Sequence, residues 1–70
     1  MYGIYYENSD GTSLKIGMVS KFDDYFDIIK KDLDVRGIRP HYYRYWGDEK
    51  EMTVDYGSWS TLIKVRKEEP

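Results

Sequence analysis

Seventy residues, no cysteine, 13 acidic against 11 basic side chains and a net charge of −2 leave room for one domain spanning residues 1–70. They exclude a disulfide scaffold, a thiolate metal site and a thiol nucleophile. No apolar run approaches the length of a membrane span or a signal peptide, so the expectation is a soluble domain in the cytoplasm of its host cell, with no membrane partner.

In chain order, residues 2–7 (YGIYYE) read as a strand and residues 14–19 (LKIGMV) as a second, joined by the turn-forming NSDGTS. A period of two puts Leu14, Ile16 and Met18 on one face of the second strand. Gly3 and Gly17 interrupt these strands, a position that marks a bulge or the close approach of another segment. The period then changes: Phe22, Phe26, Ile29 and Leu33 form a helical stripe, widened by Tyr25 and Ile28. Ser20 is placed as N-cap, with Asp23 as the capping-box acid, and Asp23 and Asp24 suit the positive end of the helix dipole. Gly37 stands at C′ and Pro40 prevents resumption, giving a helix over about 20–36.

The last third reads as a meander: a strand over 41–46 (HYYRYW), a turn GDEK, a strand over 51–56 (EMTVDY), a two-residue turn Gly57-Ser58 and a strand over 59–66 (WSTLIKVR). In that register Tyr45 opposes Met52, Tyr43 opposes Val54 and His41 opposes Tyr56. Across the second turn Tyr56 opposes Trp59, Val54 opposes Thr61 and Met52 opposes Ile63, all on one apolar face. The reverse face carries Tyr42, Arg44 and Trp46, then Glu51, Thr53 and Asp55, then Ser60, Leu62, Lys64 and Arg66. The expected class is α+β, a five-stranded antiparallel sheet with one helix packed on one face, in the order ββαβββ. One helix cannot cover both faces, so the other meets solvent or a partner.

Chemistry-bearing patterns are sparse. The one histidine, His41, has no serine and acid at a spacing that suggests a triad. Asp23, Asp24 and Asp27 cluster at the helix start, where capping and solvation explain them. No calcium loop, Walker loop or GxGxxG is present, and the expectation is no metal, no cofactor and no catalysis.

Composition points elsewhere. Eight tyrosines, two tryptophans and two phenylalanines supply much of the apolar content, and no alanine is used. Tyrosine is a good strand former, and it is also an amphipathic contact residue that gives large area at low entropy cost. Residues 36–46 (RGIRPHYYRYW) carry three arginines and no acid, residues 47–56 four acids and one lysine, and residues 20–35 five aspartates and three lysines. Interleaved arginine and aromatics suit a protein partner, where Tyr, Trp and Arg are hot-spot residues, and also stacking on unpaired bases. Glu51 and Asp55 beside Arg44 weigh against phosphate contacts.

The string TVDYGSW at 53–59, preceded by HYYRYW, resembles a pattern in small prophage proteins of Gram-positive bacteria, over roughly residues 40–66. The resemblance implies a mobile-element origin and transfers no functional residue. Small phage proteins without catalytic motifs bind and block host proteins, and anti-CRISPR proteins are one such group of similar scale. With 13 acids against 11 bases the chain departs from the dense acidity of DNA mimics. The expectation is therefore a non-catalytic protein that binds and inhibits a host defence protein, a CRISPR effector nuclease being the most specific target. The alternative is a small nucleic-acid binder using the same sheet face. The expected contact surface is Tyr42, Arg44, Trp46, Leu62, Lys64 and Arg66, with the acidic helix residues Asp23, Asp24, Asp27 and Asp32 as a second surface. Exposed sheet edges and aromatics also permit a homodimer.

Overall fold

The structure, a computed structural model, describes residues 1–68. Its elements are β1 (Tyr2–Asn8), β2 (Ser13–Val19), a 3₁₀ turn (Phe22–Asp24) leading into α1 (Tyr25–Val35), β3 (Arg44–Gly47), β4 (Glu51–Asp55) and β5 (Thr61–Lys67). The five strands form one antiparallel sheet in the order β2-β1-β5-β4-β3, and α1 packs on one face. This is the ββαβββ α+β arrangement expected from the sequence.

The core lies between α1 and the central strands. Ile4 of β1, Val54 of β4, Ile63 and Val65 of β5, and Ile29 and Leu33 of α1 are fully enclosed, with Tyr6, Val19 and Tyr56 closing the margins. The expected helical stripe is therefore the contact stripe. Its C-terminal half is buried, while Phe22 and Phe26 are half-buried and extend an edge-to-face aromatic row. Phe22 meets Tyr2 at 5.3 Å between ring centroids, and Phe26 meets Tyr43 at 5.0 Å.

The end of α1 follows the sequence closely. Gly37 has φ +72°, Ile38 N–H donates to Leu33 O at 2.9 Å and Gly37 N–H to Asp34 O at 3.0 Å, the paired bonds of a Schellman stop. The start does not. The first turn is 3₁₀ from Phe22, Lys21 occupies the cap position, and no side chain caps either the turn or α1, so Ser20 and Asp23 form no capping box. Asp23 and Asp24 still lie in the first turn, where the dipole favours them.

In β2 the simple alternation fails. Ile4 pairs with Gly17 and Tyr5 with Lys15, so Ile16 is an extra, bulged residue. The bulge moves Met18 to the face opposite the helix, opposite Gly3, and leaves Leu14 exposed across from Tyr6. Gly17 fits the sequence signal: a Cβ there would stand 3.1 Å from Ile28 Cγ2, so α1 approaches β2 closely at this point.

Both hairpins of the meander are offset by two residues from the expected register. Tyr45 opposes Val54 and Gly47 opposes Met52, while Val54 opposes Ile63 and Met52 opposes Val65. Gly47, at φ +114°, is the last rung of β3 instead of the first turn residue. Asp48 then closes the turn: its N–H donates to Glu51 O at 3.1 Å, and its carboxylate accepts from Lys50 N–H at 2.8 Å. At the other hairpin Asp55 Oδ1 accepts from Gly57 N–H at 2.9 Å, and Ser9 N–H donates to Ser60 O at 2.7 Å. These bonds hold residues 56–60 as a loop in place of a two-residue turn. An even offset preserves the faces, because side chains alternate with period two. It does not preserve the ends: Trp59 leaves the apolar face and stands fully exposed, and β3 begins at Arg44, with His41 exposed outside it.

Candidate docking surface

The sheet face opposite α1 is polar, and almost every charge on it is matched. Arg66 pairs with Glu7 and approaches Glu51 at 3.8 Å. Lys64 donates to Thr53 Oγ1 at 2.7 Å and lies 3.6 Å from Glu51. Arg44 donates to Asp55 Oδ2 at 2.9 Å and stacks over Tyr42, 5.1 Å from its ring centroid. Tyr5 sits between the cations of Lys15 and Arg66, and its hydroxyl donates to Glu68 at 2.8 Å, which Lys15 also contacts at 2.8 Å. The strand order explains the matching. Antiparallel pairing sets Glu51 across from Arg66, Thr53 across from Lys64 and Asp55 across from Arg44.

This pairing shows in the protonation equilibria. The Gly57 N–H, then the Arg44 guanidinium, hold the Asp55 carboxyl below its usual range, and Asp55 in turn raises Arg44. Lys15 and Tyr5 likewise hold the Glu68 carboxyl low.

All six residues expected on this face are there, and they divide into two kinds. Leu62, Lys64 and Arg66 on β5 are half-buried, and Lys64 and Arg66 are tied into the ion-pair network. Tyr42, Arg44 and Trp46 run along the β3 side and stand clear, Tyr42 at 46% and Trp46 at 49% exposure. Sequence reasoning missed Trp59. It borders a hollow of about 410 Å³ together with Tyr42, Gly57 and Ser58, and a larger one of about 680 Å³ reaching Glu7, Asp55 and Leu62. The signal was present in the serines on both sides of Trp59, which suit a loop better than a buried strand start.

The acidic helix residues lie in the other layer. Asp23, Asp24 and Asp27 are exposed near the start of α1. Asp32 is not free for a partner: it accepts the Tyr6 hydroxyl at 2.8 Å and pairs with Arg36. Burial, then the bond to Asp32, pushes the Tyr6 hydroxyl well above its usual range. The helix and the polar face are on opposite sides of the sheet, so the two expected contact sets are two separate surfaces.

A hollow of about 420 Å³ brings His41 near Ser58 and Ser60, but among the described residues no carboxylate lines it. Among the described residues, no group of three or more His, Asp or Glu side chains is placed to hold a metal ion. No helix among the described residues is long and apolar enough to cross a membrane. No family model, curated protein or solved structure matches this chain.

Proposed function

We propose that this chain is a non-catalytic docking protein that binds and inhibits a host defence protein through the β3 side of its polar sheet face. The observation that carries this reading is the grouping of Trp59 and Tyr42 around one hollow, with Arg44 and Trp46 continuing the row along β3. Trp, Tyr and Arg dominate the energetics of protein interfaces, and exposed aromatics rimmed by polar groups suit a binding patch. Beside them, the matched charges of β4 and β5 form a rim that needs no compensating partner charges. Arg44, Lys64 and Arg66 each already have a carboxylate, which supports a protein over a nucleic acid as the ligand. The resemblance of residues 40–66 to small prophage proteins makes a CRISPR effector nuclease the first target to test.

The test is capture from host lysate, with and without nuclease treatment, using the native chain and Trp59→Ala and Tyr42→Ala, read by mass spectrometry for protein and by gel staining for nucleic acid, followed by a DNA-cleavage assay on the captured complex. The expected result is one defence protein enriched by the native chain, inhibited by it, and bound at least about 30-fold more weakly by each variant. Recovery of nucleic acid alone, or equal capture by native and variant chains, overturns the reading.

A further inference from the structure

Two hollows of nearly equal size meet along Gly57, Ser58 and Trp59. One, of about 410 Å³, is walled by Tyr42 and Trp59. The other, of about 420 Å³, continues past Trp59 to Ile38, Arg39, His41 and Tyr56. Trp59 is the ridge between them, fully exposed.

We propose that these two hollows take a proline-rich segment of the partner, an extended polyproline II stretch with an acidic residue beside it. The proposal rests on the docking surface described above and names the chemistry that this surface takes. Three observations favour this occupant.

The first is shape and apolarity. Trp59 and Tyr42 offer large aromatic surfaces about Gly57, which presents no side chain to fill the space between them. Arg44 lies over the Tyr42 ring, 5.1 Å from its centroid, and helps to fix its place before a ligand arrives. Proline rings in a polyproline II helix pack into such aromatic-walled notches, and the segment is already extended, so it loses little entropy on docking.

The second is the sense of the hydrogen bonds. The indole N–H of Trp59 is a donor only, and it is in open solvent. Ser58 Oγ accepts the Ser60 N–H at 3.3 Å, which leaves its O–H to donate. The Tyr42 hydroxyl has only a long contact of 3.5 Å to Asp55 Oδ2. The nearby carboxylates are already engaged. Asp55 accepts from Gly57 and Arg44 and its side chain is 10% exposed, and Glu7 is bonded to Arg66. The side chains left to a ligand are therefore donors. Proline has no N–H, and a polyproline II backbone leaves its carbonyls unpaired, so such a segment brings acceptors and few donors. A basic segment finds no free acid here.

The third is charge. Of the three arginines in residues 36–46, Arg36 pairs with Asp32 and Arg44 with Asp55. Arg39 is exposed and has no ion pair among the described residues, and it lines the second hollow beside His41. One free cation suits a single acidic residue flanking the prolines. A nucleic-acid strand asks for several.

Calorimetric titration of the full chain tests this, with a synthetic peptide of about ten prolines, roughly 30 Å of polyproline II helix, ending in two glutamates. The expected Kd is on the order of 100 µM. Trp59→Ala and Tyr42→Ala should each weaken binding at least about tenfold. Arg39→Glu should weaken it about fivefold, leave a peptide of prolines alone unchanged and favour one ending in two lysines. A peptide with glycine in place of every proline should bind at least about tenfold more weakly, because a flexible chain must be ordered first. Equal binding of the proline and glycine peptides, equal binding by native and Trp59→Ala chains, or no binding at about 1 mM peptide overturns the proposal. Excess peptide should also release the protein captured from lysate. A captured protein that stays bound overturns the proline-rich segment and leaves the docking surface intact, whereas capture that Trp59→Ala leaves unchanged takes down the docking surface itself.

Discussion

The two faces of the sheet are built from alternate residues of the same strands, yet they are held by different physics. On the helix side Ile4, Val54, Ile63 and Val65 meet Ile29 and Leu33 with no access to water. On the other side Glu7, Glu51, Lys64 and Arg66 form an ion-pair network that stays partly wet, and Arg44 pairs with Asp55 beside it. Burial of apolar area is worth about 25 cal/mol per Å², whereas an exposed ion pair contributes at most about 1 kcal/mol. Stability therefore resides almost entirely on one side. The other side is free to carry aromatics such as Trp46 and Tyr42 at little cost to the fold.

That asymmetry can be broken in steps. The largest effect is expected from the dry face: Ile63→Ala should lower unfolding free energy by about 2–5 kcal/mol in urea denaturation, because it opens a cavity beneath α1. A loss below about 1 kcal/mol would mean that β5 and the helix are not tightly packed. At the boundary, Tyr6→Phe keeps the ring against Tyr56 but removes the hydroxyl donated to Asp32. The expected cost is about 1 kcal/mol by the same measurement.

The wet face should respond to acid instead. Asp55 and Glu68 have depressed folded-state pKa values, so the unfolded chain takes up their protons first as pH falls. Their stabilisation is complete above the unfolded carboxyl pKa near about 4 and is lost as pH drops through the lower folded values. Melting temperature should hold from neutrality to about pH 4 and decline below it. Asp55→Asn should make that decline shallower, and an unchanged profile would show that Asp55 is not one of the groups responsible. The smallest effect is expected at the loop: Trp59→Ala should change unfolding free energy by no more than about 0.5 kcal/mol, since its side chain touches solvent. A larger loss would place Trp59 in the fold and remove it from the docking surface.

Much of this molecule was legible in its residues. The helical stripe, the stop at Gly37 and the alternation of β4 and β5 depend on neighbours three, four or two positions away, and such patterns are written locally. The inside and outside of the meander survived a register error because the error was even. The strand order, with β1 between β2 and β5, was not legible, nor was the bulge at Ile16, since both depend on partners far along the chain. The position of Trp59 was decided by one local and one distant constraint, the Asp55 carboxylate holding Gly57 and Ser9 holding Ser60, which open the loop and turn an expected core residue outward. Asp32 moved the other way, from expected surface acid to acceptor for Tyr6, because only the packed helix brings that hydroxyl within reach. Periodicity thus determined which side chains of α1 and the meander share a face, while hydrogen bonds of the folded turns and loops, the long-range Ser9–Ser60 bond among them, decided where the strands end and which aromatics remain open to a partner.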